Sequence, residues 1–478
     1  MRGRTTAAIA AGTVALFASG AYASGALRLD DQPPPPPNHP VVGPKRLDAE
    51  TTRMIAAIDP ARIKATDLRL AGFGTRNTLS SQTDPVRGIG AARDWIYGQF
   101  QQIAATSGGR MTVELQSYTQ PVATGIPTPT VITNVVATLH GSDPSAANRY
   151  YYVSGHYDSR CGNTSNGTCD APGADDDASG VTAVLELARV MATHQFDANI
   201  VFTAVAGEEQ NLYGSAHAAA LAQQAGQDVQ AMLNDDTVGA SLGGNGISNP
   251  YTLRVFAEGV PTDETASEAN KRRSVGGEND SPARQLARFI HSVAEIPETG
   301  MHIKTVYRRD RFSRGGDHIS FLERGFRSAV RLTEPNENFN HQHQDVRVDP
   351  STGEQIGDLP QFNDFDYLTR VAKVNAVTLA ALANAPSTPK GARISSNLSY
   401  DATLRWNANT ESDLAGYEVV WRETDENDWT HVIPVGKLEP NASGVVSYTA
   451  PLSKDDFFFG VRAVDTDGNR SPVVFPTS

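Results

Sequence analysis

The 478-residue sequence predicts an α/β protein, a mostly parallel sheet with helices on both faces, followed by a small all-β sandwich. Two observations predict the first part. Between residues 149 and 385, short apolar runs alternate with amphipathic runs of helical period, the order of βαβ units. Acids and histidines also fall directly after several of those apolar runs, at what would be one edge of the sheet. The third observation concerns the end of the chain. Beyond residue 390 the text holds only short strands of alternating polarity separated by turn residues, the spacing of a β-sandwich.

The elements follow in chain order. Residues 1–23 carry Arg2 and Arg4, then an apolar stretch, then Ala21-Tyr22-Ala23, the order of a secretory signal, so a secreted or periplasmic protein is expected. The apolar stretch is too short to cross a bilayer core of about 30 Å, and no later segment reads as a membrane span. Residues 24–46 include five consecutive prolines, a stiff spacer. Helical patterns begin near Thr51, with Met54, Ile55 and Ile58 on one face, and again over residues 89–103. Strands are expected at 150–154, 200–206, 230–233 and 328–332, with helices at 181–191 and 283–293 between them. Residues 385–390 read as a linker, dividing a domain at 47–385 from a module at 386–478.

Composition narrows the function. Lys and Arg number 41 against 54 Asp and Glu, a net charge of −13, which argues against nucleic-acid binding. Two cysteines exclude a disulfide-dense scaffold. Cys161 and Cys169 enclose a seven-residue polar loop and, in an oxidising compartment, would close it.

The chemistry gathers in five places. His156 and Asp158 follow the first apolar run, Glu208 and Glu209 the second, Asp235 and Asp236 the third, and His341 and His343 lie beyond the fourth. The fifth place is Gly173-Ala-Asp-Asp-Asp-Ala-Ser-Gly180. Three consecutive acids before a helix complement its positive end. Their mutual repulsion is nevertheless relieved best by a cation. A mixed set of histidines and carboxylates suits zinc rather than calcium, and five such donors fit two ions about 3.5–4 Å apart sharing one carboxylate.

These residues are recognisable. His156-Tyr-Asp158-Ser, Gly173-Ala-Asp-Asp176-Asp-Ala-Ser-Gly, Gly207-Glu208-Glu209, Asn234-Asp-Asp236-Thr-Val-Gly and Gly316-Asp317-His318-Ile-Ser-Phe stand in the order of the zinc-dependent M28 aminopeptidases, which the chain resembles over residues 85–385. The module at 386–478 looks like a fibronectin type III domain. The resemblance implies a zinc-exopeptidase fold, mixed but parallel at its core. It implies that His156 and Asp236 bind one zinc, Glu209 and a C-terminal histidine the other, and that Asp176 bridges them. Asp158 would accept the remaining N–H of His156, and Glu208 would be the general base. Asp317 and His318 match a pocket motif with supporting roles. The family's His-Thr-x-x-Asp is here Asn340-His-Gln-His-Gln-Asp345, so the last ligand is His343 or His341, the former favoured.

The implied function is a secreted aminopeptidase acting on peptides. A carboxypeptidase on the same core is the rival, because four arginines crowd residues 308–314 and could clamp a substrate carboxylate. Glutaminyl cyclase needs one zinc and is disfavoured by the full ligand set. A non-catalytic surface binder is disfavoured by the intact Glu208. The C-terminal module is expected to attach to matrix or cell wall, and to be removable without losing hydrolysis of small substrates.

Overall fold

The computed structural model describes residues 47–478 and, upstream, the backbone of Leu27–Arg28, a two-residue strand parallel to Ile247–Ser248. The signal expected at 1–23 lies outside the described residues, as does the rest of the segment 24–46.

Eight strands form the main sheet: β1 (Met111–Gln120), β2 (Thr130–Leu139), β3 (Arg149–His156), β4 (Asn199–Val205), β5 (Asp228–Asp235), β6 (Thr252–Phe256), β7 (His302–Val306) and β8 (Ala329–Thr333). Their order is β1-β2-β4-β3-β5-β8-β6-β7. The central four, β4-β3-β5-β8, are parallel to one another, and the β1–β2 hairpin and β6–β7 extend the edges through antiparallel pairings. The sheet is therefore mixed, with a parallel core.

Period-two alternation sorts the central side chains between two cores. Tyr151, Val153, Ile200, Phe202, Ala231 and Leu233 point to the larger one, beneath α1 (Ala49–Ala56), α2 (Pro60–Ala71), α3 (Ile89–Ala104), α4 (Ser179–Met191) and two later helices. Tyr152, Val201 and Met232 point to the other, covered by α5 (Tyr213–Gln224) and α8 (His318–Leu322), α6 (Ala266–Ser274) coming between these two in the chain. Central strands buried on both faces must be continuously apolar, which is why they were visible in the sequence. The antiparallel edges, with one wet face, were not.

Crossovers decide where the site lies. The chain leaves β3, returns as β4 on one side, and then crosses to β5 on the other. That reversal opens a crevice at the carboxyl ends of β3, β4 and β5, the place where α/β sheets bind ligands.

The C-terminal strands are β9 (Arg393–Ile394), β10 (Asp401–Asn407), β11 (Leu414–Glu423), β12 (His431–Gly436), β13 (Val445–Ser453) and β14 (Phe457–Asp465). They form two three-stranded antiparallel sheets, β9-β10-β13 and β12-β11-β14, sharing a core of Trp406, Tyr417, Val419, Val446 and Phe459.

The segment 385–390 is not a free linker. Ser387 donates from its amide and hydroxyl to Glu411, and Glu411 pairs with buried Arg149 at the start of β3. The sandwich also grips α7 (Pro282–Ala294), the helix beside α9 (Phe365–Asn384). Buried Asp280 accepts from Arg422 of the sandwich and from Arg288 and Gln285 of α7, and the Trp429 indole donates to Gln285 at 3.0 Å. Expecting a detachable module from Pro/Ser/Ala composition overlooked this interface, because its charges are scattered along the sequence.

Candidate metal centre

His156 ends β3, fully buried. Its amide donates to Asp177 Oδ2 at 2.9 Å, and its Nδ1 lies 3.1 Å from the Asp158 carbonyl oxygen. The other ring nitrogen, Nε2, stands 3.0 Å from Asp176 Oδ1 and 3.8 Å from Asp236 Oδ1. A carbonyl on Nδ1 leaves the lone pair on Nε2, the tautomer a metal requires.

Asp158 corrects one expectation. Its carboxylate is 3.6 Å from His156 Nδ1, too far for a hydrogen bond. The carboxylate instead accepts the amides of Glu208 (3.3 Å) and Glu209 (3.2 Å) and the Thr78 hydroxyl (3.2 Å). The chain leaving β4 turns directly over it, so Asp158 anchors the two glutamates, and its backbone carbonyl orients the histidine.

The acidic triplet is divided by its backbone. Asp176 and Asp177 have non-helical dihedrals, and their shared peptide is cis. Asp177 accepts the amides of His156, Gly180 and Thr237, tying β3, α4 and the end of β5 together. Asp175 accepts the Gly239 amide. Only Asp176 stands between the histidines. The sequence-based view of three repelling acids that need a cation therefore holds for one of them, since backbone donors serve the others.

A second group completes the centre. His343 Nε2 lies 2.9 Å from Asp176 Oδ2 and 3.1 Å from Glu209 Oε2. His343 adopts a left-handed φ of 57°, uncommon for a residue other than glycine. His341 is elsewhere, stacked on Phe362 with ring centroids 3.6 Å apart. Two donor triads result, His156–Asp176–Asp236 and Asp176–Glu209–His343, each with ligand atoms within 4.8 Å of one another and Asp176 common to both.

Electrostatics show what the group lacks. Burial, with Asp236, Glu209 and Asp317 as negative neighbours, pushes the Glu208 carboxyl well up against the pull of His156. Burial would lower His343, yet Glu209 and Asp176 lift it to about 10. The carboxylates thus call for positive charge. His156 Nε2 and Glu209 Oε1 are also buried without any hydrogen bond. A mixed nitrogen and oxygen set with such orphaned atoms fits zinc.

Asp317 is fully buried beside this cluster, with neither oxygen hydrogen-bonded, and burial raises its carboxyl to about 7. His318 turns away and lies 2.8 Å from the Arg309 carbonyl. Of the arginine run, Arg311 and Arg314 pair with Glu337, Arg309 reaches Thr262, and Arg308 lies over Phe312. Cys161 and Cys169 form a disulfide closing a loop beside the centre, where the Gly162 amide donates to Asp345 two residues beyond His343.

Residues 134–359 match the model of peptidase family M28. A "probable zinc metalloprotease" of Pyricularia oryzae is 51% identical across 92% of this chain and 88% of its own. The chain belongs to peptidase family M28. Another probable zinc metalloprotease, from Pyrenophora teres f. teres, is 48% identical across 91% of this chain and 88% of its own. The Legionella pneumophila LapA aminopeptidase structure is similar at 21% identity, with a TM-score of 0.47, over 71% of this chain and 78% of that one.

In this M28 peptidase several supporting residues escaped sequence reasoning. Buried Arg76 donates to the carbonyls of Leu70, Tyr157 and Gly173 and so joins α2 to both metal-side loops. Asp358 accepts the amides of Asp175 and Asp176, each at 2.8 Å, and holds the backbone behind the Asp176 carboxylate. Gln342 donates to Asp176 Oδ2 at 2.9 Å. None carries a local motif. Arg331 did leave a trace, as a lone charge inside the apolar run of β8.

Proposed function

We propose that this peptidase is an exported metallo-exopeptidase that removes N-terminal residues from peptides, with two zinc ions held by the two triads. The pair of triads sharing Asp176, beside a Glu208 carboxylate that accepts no hydrogen bond among the described residues, carries this reading. Zinc bound there supplies water acidified toward neutral pH and draws charge from the scissile carbonyl.

The chain's own residues do the rest. Glu208 takes the proton of the attacking water at its carboxylate and delivers it to the departing nitrogen. Its amide and that of Glu209 rest on Asp158, so the backbone carrying the base and the neighbouring donor is held in place. Acids on this edge favour a substrate ammonium. Arg311 and Arg314 are engaged by Glu337, which counts against their clamping a substrate carboxylate. Export is supported by the N-terminal pattern and by the Cys161–Cys169 disulfide, which suits an oxidising compartment. We assign the sandwich, fibronectin type III-like in its two sheets, an accessory role in matrix or cell-wall attachment.

The test offers one peptide with both ends free, N-acetylated, or C-amidated, and reads the products by mass. Acetylation should stop cleavage and amidation should not. Products shortened from the C-terminus, blocked by amidation alone, would transfer the function to a carboxypeptidase. No cleavage by the zinc-loaded protein would make it a binder.

A further inference from the structure

We propose that Arg331 is a positioning residue that weakens metal binding at the His156–Asp176–Asp236 triad, making this the half of the centre that exchanges first. The proposal rests on the two-zinc reading above.

The two triads share Asp176 and each adds one histidine, so they differ in their third carboxylate and what surrounds it. Asp236 faces a guanidinium. Arg331, fully buried on β8, meets both Asp236 oxygens with its two terminal nitrogens, Nη2 lying 2.6 Å from Oδ1 and Nη1 pairing with Oδ2. The same fork is pinned by the Asp236 carbonyl at 3.1 Å, the Gly315 carbonyl at 3.0 Å and the Thr237 hydroxyl at 3.2 Å. Glu209 has no such partner. Its Oε2 faces His343, and its buried Oε1 makes no hydrogen bond.

This difference acts on metal affinity through charge. An acceptor behind a ligand raises the ligand's basicity, so a donor behind it has the opposite effect. Arginine cannot release its proton, so its charge is permanent. The pair is buried, where the repulsion between guanidinium and a divalent ion is screened far less than in water. Arg331 also fixes Asp236 toward His156. Orientation favours binding and charge opposes it; Asp310, whose Oδ2 lies 4.0 Å from Nη1, is farther off than the Asp236 oxygens and offsets the guanidinium only in part, so the charge is the larger effect.

The experiment titrates metal-free full-length protein with Zn²⁺ against a chromophoric chelator and resolves the stepwise affinities, with no reliance on turnover. Wild type should show two steps at least about tenfold apart, the scale of outer-sphere effects on ligands. Asp236→Asn should remove the weaker step and Glu209→Gln the tighter. Arg331→Met should tighten the weaker step by about tenfold or more, whereas Arg331→Lys, which keeps the charge without the fork, should leave it near wild type. Loss of the tighter step in Asp236→Asn would overturn the proposal. So would an Arg331→Met protein whose weaker step is unchanged or weaker still. Should Arg331→Met not fold, the Asp236 and Glu209 variants decide alone. A single zinc per wild-type chain would instead overturn the two-zinc reading, and the proposal with it.

Discussion

Replacing Arg422 with Met should show whether the C-terminal sandwich is part of the enzyme's stable body. Arg422 is buried, and its Nη2 lies 2.9 and 2.8 Å from the two oxygens of Asp280, which is itself buried beyond the interface. Stranding one member of a buried ion pair costs about 3–5 kcal/mol. Here Arg288 still holds Asp280 Oδ1 at 2.9 Å, so the cost falls to that of the lost charge-assisted bonds, about 1.5–3 kcal/mol. Met retains the stem's packing but loses the guanidinium's place over the Trp429 and Phe458 rings, about 0.5–1 kcal/mol more. We expect roughly 3 kcal/mol in urea denaturation followed by tryptophan fluorescence, Trp429 being at the junction. A double-mutant cycle with Asp280→Asn isolates the pair. Coupling under about 0.5 kcal/mol would refute the reasoning, because it would mean the two sides of the interface act independently. A chain ending at residue 385 removes Glu411 from Arg149 and Arg422 from Asp280 together, and should lose stability and, with it, hydrolysis of small substrates.

Further outcomes follow from the centre and its surroundings. Glu208→Gln should lower turnover about 10²–10⁴-fold with metal retained, whereas Glu209→Gln should lose metal; metal analysis beside a kinetic assay checks both. His343→Ala should release one metal and His341→Ala should not, since His341 stacks on Phe362 and meets Asn338 instead of the acids. Chelation should abolish hydrolysis and lower the unfolding temperature, by an amount worth about 2.7 kcal/mol where zinc stands at a hundred times its Kd. His291 on α7 touches Glu295 and, across the junction, Asp428; burial opposes its charge, but the two carboxylates lift its pKa from 6.5 to about 10. That contribution is present below the unfolded value and fades as pH rises through about 10. Asp428→Asn should therefore cost more stability at pH 6 than at pH 11, where only its contacts to Asn427 and Arg288 are lost, read by denaturant titration.

The residues of the candidate site were legible because they sit where local sequence is most informative. A buried parallel strand must be apolar throughout, so its end is sharp, and the polar residue that follows, His156 or Asp236, stands out against it. Glu208 and Glu209 share that contrast, and the acidic triplet stands out against the apolar helix that follows it. The β1–β2 hairpin and the β6–β7 edge lack it, and they emerged only with the fold. Which histidine meets Asp176 also needed the fold, because His341 and His343 are two residues apart on one irregular loop, and one ring reaches Asp176 while the other stacks on Phe362. The partners behind the centre were invisible for a different reason. Asp358 caps amides more than 180 residues away in sequence, Arg331 meets a carboxylate 95 residues upstream, and Arg422 meets one 142 residues upstream. A hydrogen bond leaves no trace in local composition when its partners are brought together by sheet order and domain packing. The sequence by itself determined the chemistry available at the sheet edge. Tertiary structure decided which carboxylates face a cation, which serve backbone amides, and which are already paired with arginine.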